Sequence, residues 1–382
     1  MMQGSYFLKN ILEGFFQQMP NLKYLDLSNT CIKDLPKDIK CLVNLQYLNI
    51  SFTEISSLPK ELVYLNKLQY LICKNTRLGK VKDGLMSRLQ KLKVIDLYPY
   101  GWVDPEELMK LKKHIKAIGM RVVSQEVLQQ LSCLPTTKLY IEKLGNLDSL
   151  SFDTLSCKDH GFLQKLEIRS CPQLKEIVMN GRETHLNNLT IYDVKQLQKI
   201  SWESSQSPAG FFHVLKSLEI SGCNLDNLAW VLHLPCLRIL KIIDCAKIET
   251  LYYIEEREIQ QEVSEHHPTF PALEDVLITN LPKLVSISNF ALDFPRLSRF
   301  EVHQCLNLKK LPFKSGINNN NQRTILIDCE REWWKSLKWD DATIPSHLQP
   351  FFITDHIKRA LVVQRSALSF INSHVRKNGG KA

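Results

Sequence analysis

One pattern constrains this chain more than any other: L-x-x-L-x-L-x-x-(T/C) recurs thirteen times, with varying fidelity, between Leu22 and Cys329. Clear copies are Leu22, Leu25, Leu27, Thr30; Leu45, Leu48, Ile50, Thr53; Leu163, Leu166, Ile168, Cys171; and Leu237, Leu240, Ile242, Cys245. Numbered by their third apolar position, the copies fall at 27, 50, 73, 97, 120, 141, 168, 191, 220, 242, 278, 302 and 326. The steps run from 21 to 29 residues, apart from one of 36. The copies at 120 (Ile115, Ile118, Met120) and 326 (Asn321, Thr324, Leu326) are degenerate.

The central L-x-L is a period-two signal that places two apolar side chains on one face of a short strand. The flanking apolar residues turn the chain back toward the same core. A single unit of this length cannot bury enough apolar surface to offset its chain entropy, so neighbouring copies must stack and share a core. Repeat lengths of this size are those of leucine-rich repeats. The expected fold is an α/β leucine-rich repeat solenoid, or horseshoe. A parallel β-sheet lines its concave face, and short helices or irregular segments lie on the convex face. Thirteen strands spaced ~4.8 Å apart give an inner arc of about 58 Å, a size suited to a protein partner.

Composition supports an ordinary folded chain, with 44% apolar and 23% charged residues in 382. No run approaches the length of a transmembrane helix, and Lys9 and Glu13 interrupt the apolar residues of the N-terminus, which therefore lacks the core of a signal peptide. Residues 1–20 are read as an amphipathic helical cap over the first repeat. Of the 11 cysteines, Cys171, Cys223, Cys245, Cys305 and Cys329 occupy the ninth repeat position, which Thr30, Thr53 and Thr76 fill in earlier copies. An odd count without a C-x-x-C pair points to reduced structural thiols and a cytoplasmic location. Sequons at Asn49 and Asn188 lie inside expected strands.

Sites of chemistry are sparse. There is no phosphate-binding loop, nucleophile elbow or metal-protease helix motif, and the adjacent His266 and His267 read as a solvated pair in a polar insertion. The expectation is a non-enzyme with no cofactor and no metal. Net charge is +9, but residues 101–330 hold 26 basic against 28 acidic side chains. The middle of the arc thus lacks the continuous basic stripe that nucleic acid requires. The stretches 98–113, 254–267 and 318–321 interrupt the repeat, the first ending in a helix with Asp104 as N-cap ahead of Pro105.

The polar residues between the strand leucines should line the concave face. Down the stack they read Tyr24, Asp26, Ser28; Tyr47, Asn49, Ser51; Tyr70, Ile72, Lys74; Val94, Asp96, Tyr98; Lys138, Tyr140, Glu142; Lys165, Glu167, Arg169; and Asn188, Thr190, Tyr192. Tyr24, Tyr47 and Tyr70 should form a ladder one strand spacing apart, serving a partner or packing only against itself. Tyr and Arg are favoured at interfaces. The repeat domain spans 21–341 and closes on the Trp-rich segment 330–341, where Trp333, Trp334 and Trp339 are expected to seal the stack. Residues 342–382 form a linker and a C-terminal amphipathic helix, for which three placements fit: on the solenoid, against a partner helix, or on an anionic membrane.

The run FFQQMPNLKYLDLSNTCIKDLPKDIKCLVNLQYLNISFTEISSLPKELVYLNKLQYLICKNT (Phe15 to Thr76) resembles the opening of the leucine-rich repeat domain in plant intracellular immune receptors of the coiled-coil, nucleotide-binding type. The later L-x-I-x-x-C-x-x-L copies and the closing EREWWKSLKWDD extend the resemblance over roughly residues 15–341. It implies a protein-binding module in disease resistance, which recognises a pathogen effector or guarded host protein and restrains a nucleotide-binding switch. By family behaviour, switch-facing contacts would fall near Lys23, Tyr24, Tyr47 and Phe52. Recognition would fall near Lys165, Arg169, Tyr192, Lys241, Arg299 and His303, with Tyr70 and Lys74 on the face between. The switch itself is expected in a longer form or in trans. The alternative class is a substrate-recognition subunit of a ubiquitin ligase, which needs an adaptor-binding helical module of about 40 residues where 20 precede the repeats.

Overall fold

The computed structural model describes residues 7–155, 163–180, 184–202, 207–253, 269–290, 292–313, 325–339 and 348–352. The C-terminal helix, the insertion at 254–267 and the loop at 318–321 lie outside the described residues. The chain divides into two compact units, Met1–Val214 and Leu215–Ala382. Among the described residues no helix is long and apolar enough to cross a membrane.

In the first unit, strands β1 (Tyr24–Asp26), β2 (Tyr47–Asn49), β3 (Tyr70–Ile72), β4 (Val94–Asp96), β5 (Ala117–Val122) and β6 (Thr136–Glu142) are followed by β7 (Ser149–Ser151), β8 (Lys165–Arg169), β9 (Glu176–Met179), β10 (Asn188–Tyr192) and β11 (Lys199–Trp202). The main sheet is parallel in the order β1-β2-β3-β4-β5-β6-β8-β10, and β11-β9-β7 form a second small sheet. Register follows the repeat: Leu25 pairs with Leu48, Leu48 with Leu71, and Leu71 with Ile95. These residues are buried, as are Leu45, Leu68 and Leu92 beneath them.

The opposite layer changes character along the unit. In the first repeats it consists of 3-10 turns, Lys37–Cys41 and Lys60–Tyr64, each entered from a proline with extended backbone, Pro36 or Pro59. Proline presets the entry φ and contributes no N–H that would need a partner. From β7 onward strands take over, because segments such as Glu176–Met179 alternate buried and half-buried residues with period two. Helices or irregular segments were the expectation throughout this layer; its later part is a sheet. The stretch 98–113 does end in a helix, α1 (Pro105–Met109), and Asp104 Oδ1 accepts from the Glu106 amide at 2.9 Å.

The eighth residue of the repeat, unmarked in the sequence pattern, takes the left-handed backbone: Asn29 φ 57°, Asn75 φ 50°, Asp244 φ 55° and Asn280 φ 55°. Asn and Asp tolerate that region best among non-glycine residues; Phe52, φ 57°, Lys143, φ 57°, Ser170, φ 48°, and Gln304, φ 56°, take it at the same position without that advantage. The turn lets the amide keep contact with the next copy, as Asn29 N donates to Ser51 O at 3.0 Å and Asn75 N to Tyr98 O at 3.0 Å. The ninth residue then bonds back to the backbone. Thr30 and Thr53 each donate to a carbonyl three residues earlier at 2.8 Å. Cys245 and Cys305 donate to one two residues earlier at 3.4 and 3.3 Å.

The degenerate copy at 120 hides a register change. Toward β4, Ile118 pairs with Ile95; toward β6, Met120 pairs with Leu139 and Val122 with Ile141, after a shift between Ile118 and Gly119. A bulge of this kind bends the pairing and re-aims the side chains beyond it. The N-terminal cap is smaller than the expected helix. Within 7–20 only Phe15–Gln18 is helical, a 3-10 turn, while Phe7 and Leu12 are exposed. Phe16 alone is fully buried, and its amide donates to Asp38 Oδ2 at 2.8 Å.

The second unit holds β12 (Ser217–Ser221), β13 (Ile239–Ile243), β14 (Thr250–Tyr252), β15 (Asp275–Thr279), β16 (Ser286–Ser288), β17 (Arg299–His303), β18 (Ile325–Cys329) and β19 (Leu348–Phe352). Its main sheet runs β12-β13-β15-β17-β18-β19, and β14 pairs with β16 in the opposite layer. Cys329 is not a ninth-position residue. It pairs with Val302, so the third apolar position of that copy is 329 rather than 326. Burial decides the register, for Ile325, Ile327 and Cys329 are buried while Leu326 is half-buried. The closing segment forms a short helix, Arg331–Lys335, and of the three expected indoles Trp333 seals the core: it is 3% exposed and its indole N–H donates to Leu308 O at 2.9 Å, while Trp334 and Trp339 are half-buried. Beyond it, where a linker was expected, β19 adds an edge strand in which Pro350 pairs with Ile327. Proline is tolerated at a sheet edge, where its missing N–H breaks no ladder.

Candidate functional site

Strand alternation leaves one face of the main sheet of the first unit open, and the polar residues of β1 to β10 line it. At the β1 side, the rings of Tyr24, Tyr47 and Tyr70 lie 6.3 and 6.2 Å apart, tilted by 38° and 43°. The parallel register of β1, β2 and β3 places them opposite one another. The ladder is exposed, with Tyr24 67% and Tyr70 38% accessible. Beside it, Asn49 Nδ2 donates to Asp26 Oδ2 at 3.2 Å, and the Ser51 amide to Asn49 Oδ1 at 3.0 Å. These bonds hold the strand ends rigid behind the rings.

In the middle of the face stands Asp96, 5% exposed. Lys138 Nζ lies 2.6 Å and Lys74 Nζ 3.5 Å from its Oδ2. The long reach of Lys138 is possible because Gly119 sits between β4 and β6; a Cβ there would fall 2.8 Å from Asp96 Oδ1. Burial pushes the Lys138 ammonium pKa down, against the opposing pull of Asp96.

Next to this pair, across β6, β8 and β10, lies an aromatic and ionic cluster. The Tyr98 hydroxyl donates to the Glu167 carboxylate, which also accepts from Arg169 Nε. The Arg169 guanidinium lies 4.7 Å from the centroid of the Tyr192 ring, and Lys165 Nζ lies 4.6 Å from that of Tyr98. Tyr98 and Tyr100 both approach Tyr140 edge-on at 6.1 Å. Burial, then the nearby Glu167 charge, raises the Tyr98 pKa; burial, then Glu142, raises that of Tyr140. For Arg169, burial acts downward but Glu167 outweighs it and the guanidinium stays firmly charged. Such a surface presents aromatic faces and fixed ion pairs.

Lys165, Arg169 and Tyr192 from the sequence reading therefore meet in one cluster, and Tyr24, Tyr47 and Tyr70 in another, with Lys74 reaching toward Asp96. Lys23 and Phe52 join neither through a side-chain contact. The Lys23 carbonyl accepts the Gln46 and Tyr47 amides at 2.8 and 3.1 Å, and Phe52 projects, 53% exposed, from its left-handed turn. Lys241, Arg299 and His303 belong to the second unit. Lys241 pairs with Glu219 at 3.6 Å, and Arg299 with Glu301 and Asp328 at 3.0 Å each. The anchors missed in the sequence are Asp96, Glu167 and Gly119. Asp96 and Glu167 were legible as residues of this face, but only the fold shows what they bind.

A family model described as Leucine-rich repeat region matches residues 2–319. The disease resistance protein SUMM2 of Arabidopsis thaliana is 29% identical over 243 residues, covering 63% of this chain and 25% of that protein. The disease resistance protein RPS5 of the same plant is 29% identical over 338 residues, covering 86% of this chain and 35% of that protein. The chain thus spans between a quarter and about a third of the length of these relatives. An internalin from Listeria monocytogenes superposes with a TM-score of 0.42 at 15% identity, covering 79% of each chain.

Proposed function

We propose, from the premise that this chain belongs to the leucine-rich repeat region family and is related to plant disease resistance proteins, that the open sheet face of its first unit is a protein-binding surface in plant innate immunity. It recognises a pathogen effector or a guarded host protein and regulates a nucleotide-binding switch, in the same polypeptide or in trans. The observation that carries this reading is the ladder of Tyr24, Tyr47 and Tyr70. Three aromatic rings in register, two of them well exposed, with a hydrogen-bonded row behind them, supply large contact area at small cost in side-chain entropy. The Lys165–Arg169–Tyr192 cluster adds oriented charge, which favours selectivity over raw affinity. Ninth-position thiols that donate to backbone carbonyls support a reducing, cytoplasmic setting.

The test is co-expression of the chain with the nucleotide-binding part of a related receptor, with co-precipitation and cell death as readouts. The expected result is association that falls at least tenfold in a Tyr24→Ala, Tyr47→Ala, Tyr70→Ala variant, a loss of about 1.4 kcal/mol or more. Absence of both association and any change in cell death with the unaltered chain would refute the proposal, as would undiminished association of the triple variant.

A further inference from the structure

In the second unit, β17 and β18 bring three metal-ligating side chains to one face of the sheet. Glu301 and His303 are two residues apart on β17 and so project to the same side, and Asp328 on β18 pairs in register with Glu301. One ligand atom from each of the three lies within 4.8 Å of the others. Asp328 is 3% exposed, and its Oδ1 accepts no hydrogen bond among the described residues. That oxygen faces His303 Nε2 at 3.7 Å. A buried carboxylate oxygen without a donor is costly, and a cation is one way to satisfy it.

The surroundings orient the three groups. Arg299 binds the outer oxygens, its Nη2 donating to Asp328 Oδ2 at 3.0 Å and its Nε lying 3.0 Å from Glu301 Oε1. This leaves Asp328 Oδ1 turned toward the imidazole. The other imidazole nitrogen, Nδ1, faces Glu330 Oε1 at 3.8 Å, and that oxygen is held by the Gln304 amide at 3.1 Å. A carboxylate behind the non-ligating nitrogen of a histidine is the recurrent arrangement that fixes tautomer and ring orientation at metal sites. Three carboxylates against one guanidinium leave the pocket net negative.

We propose that Glu301, His303 and Asp328 form a binding site for a divalent transition-metal cation of the Zn2+ class, completed by water. One imidazole and two carboxylates form a mixed N/O donor set that suits Zn2+. Tetrahedral bonds of ~2.0–2.2 Å place ligand atoms about 3.4 Å apart, so His303 Nε2 and Asp328 Oδ1, at 3.7 Å, need little movement, and the Glu301 carboxylate, within 4.8 Å of both, swings in to complete the set. The site cross-links two adjacent strands near the end of the solenoid, independently of the face proposed above to bind protein.

The test uses the full chain, stripped with a chelator and titrated with Zn2+ alone by calorimetry, and with Co2+ for its visible absorption. The expected result is one saturable equivalent, weakened at least tenfold in His303→Ala and in Asp328→Asn, and ~10–100-fold in Glu330→Gln. His185→Ala, which lies in the first unit, should bind as the unaltered chain does. Because Asp328→Asn also disturbs Arg299, His303→Ala decides the case: the His303 imidazole lies 3.7 Å from Asp328 and 3.8 Å from Glu330, so its loss breaks no short bond to either, and the variant's fold is checked by circular dichroism. Absence of saturable Zn2+ binding, or binding undiminished in folded His303→Ala, would overturn the proposal.

Discussion

The Glu107 carboxylate, 5% exposed within α1, accepts three backbone amides from the preceding repeat: Gly84 at 2.6 Å on Oε1, and Met86 at 3.0 Å and Ser87 at 3.1 Å on Oε2. These amides open the 3-10 turn Met86–Arg88 and have no helical partner of their own. Glutamine in this place is nearly isosteric but offers only one acceptor atom. If its oxygen keeps Met86 and Ser87, its NH2 group confronts the Gly84 amide, donor against donor. An orphaned buried amide costs about 1–3 kcal/mol, and the two surviving bonds lose their charge assistance. Glu107→Gln should therefore destabilise the first unit by roughly 2–4 kcal/mol, and Glu107→Ala, which orphans all three amides, by more. For a unit of this size each kcal/mol lowers Tm by about 2–4 °C, a shift readily measured by scanning calorimetry. Amide hydrogen exchange at Met86 and Ser87 should accelerate in parallel. A Glu107→Gln variant within about 0.5 kcal/mol of the unaltered protein, the range of an ordinary surface change, would refute the capping role.

Two further outcomes follow from burial. Burial pushes the Cys245 and Cys305 thiols up from 9.0 to about 11. The unfolded chain thus releases these protons first, and stability should fall as pH rises from about 9 to about 11, by ~1 kcal/mol per pH unit for each thiol. A Cys245→Thr, Cys305→Thr variant, which copies the ninth residue of the first repeats, should show a visibly shallower loss in urea titrations over that window; an unchanged slope would count against the thiols as its source. At the closing end, Trp333→Ala should cost about 3–5 kcal/mol and half-buried Trp334→Ala clearly less, by calorimetry of the second unit. The reverse order would mean that the wrong indole has been assigned the sealing role.

The repeat made the strands legible, since an L-x-L every 23 residues or so admits one stacked solution, and residues such as Leu48, Leu71 and Ile95 sit where that pattern put them. It also made the exposed face legible, because alternation assigns Tyr24, Tyr47, Tyr70, Lys165 and Arg169 to it whatever their partners. Where apolar spacing weakened, the reading slipped. Met120 fits its own copy yet pairs one dyad away from the expected register on the β6 side, and Leu326 stood in for Cys329 because the unbroken apolar run Ile325, Leu326, Ile327 hides the alternation.

What the sequence determined by itself is local and periodic: which residues face the core, and that neighbours must share it. Tertiary structure decided what depends on distances between copies. The Tyr98 hydroxyl meets a carboxylate 69 residues away, Lys138 crosses Gly119 to reach Asp96, and His303 and Asp328 converge from adjacent strands. Side-chain alternation is a property of one strand, whereas pairing among polar groups depends on register, bulges and the space left by a missing Cβ. Those quantities are set only when the strands stack.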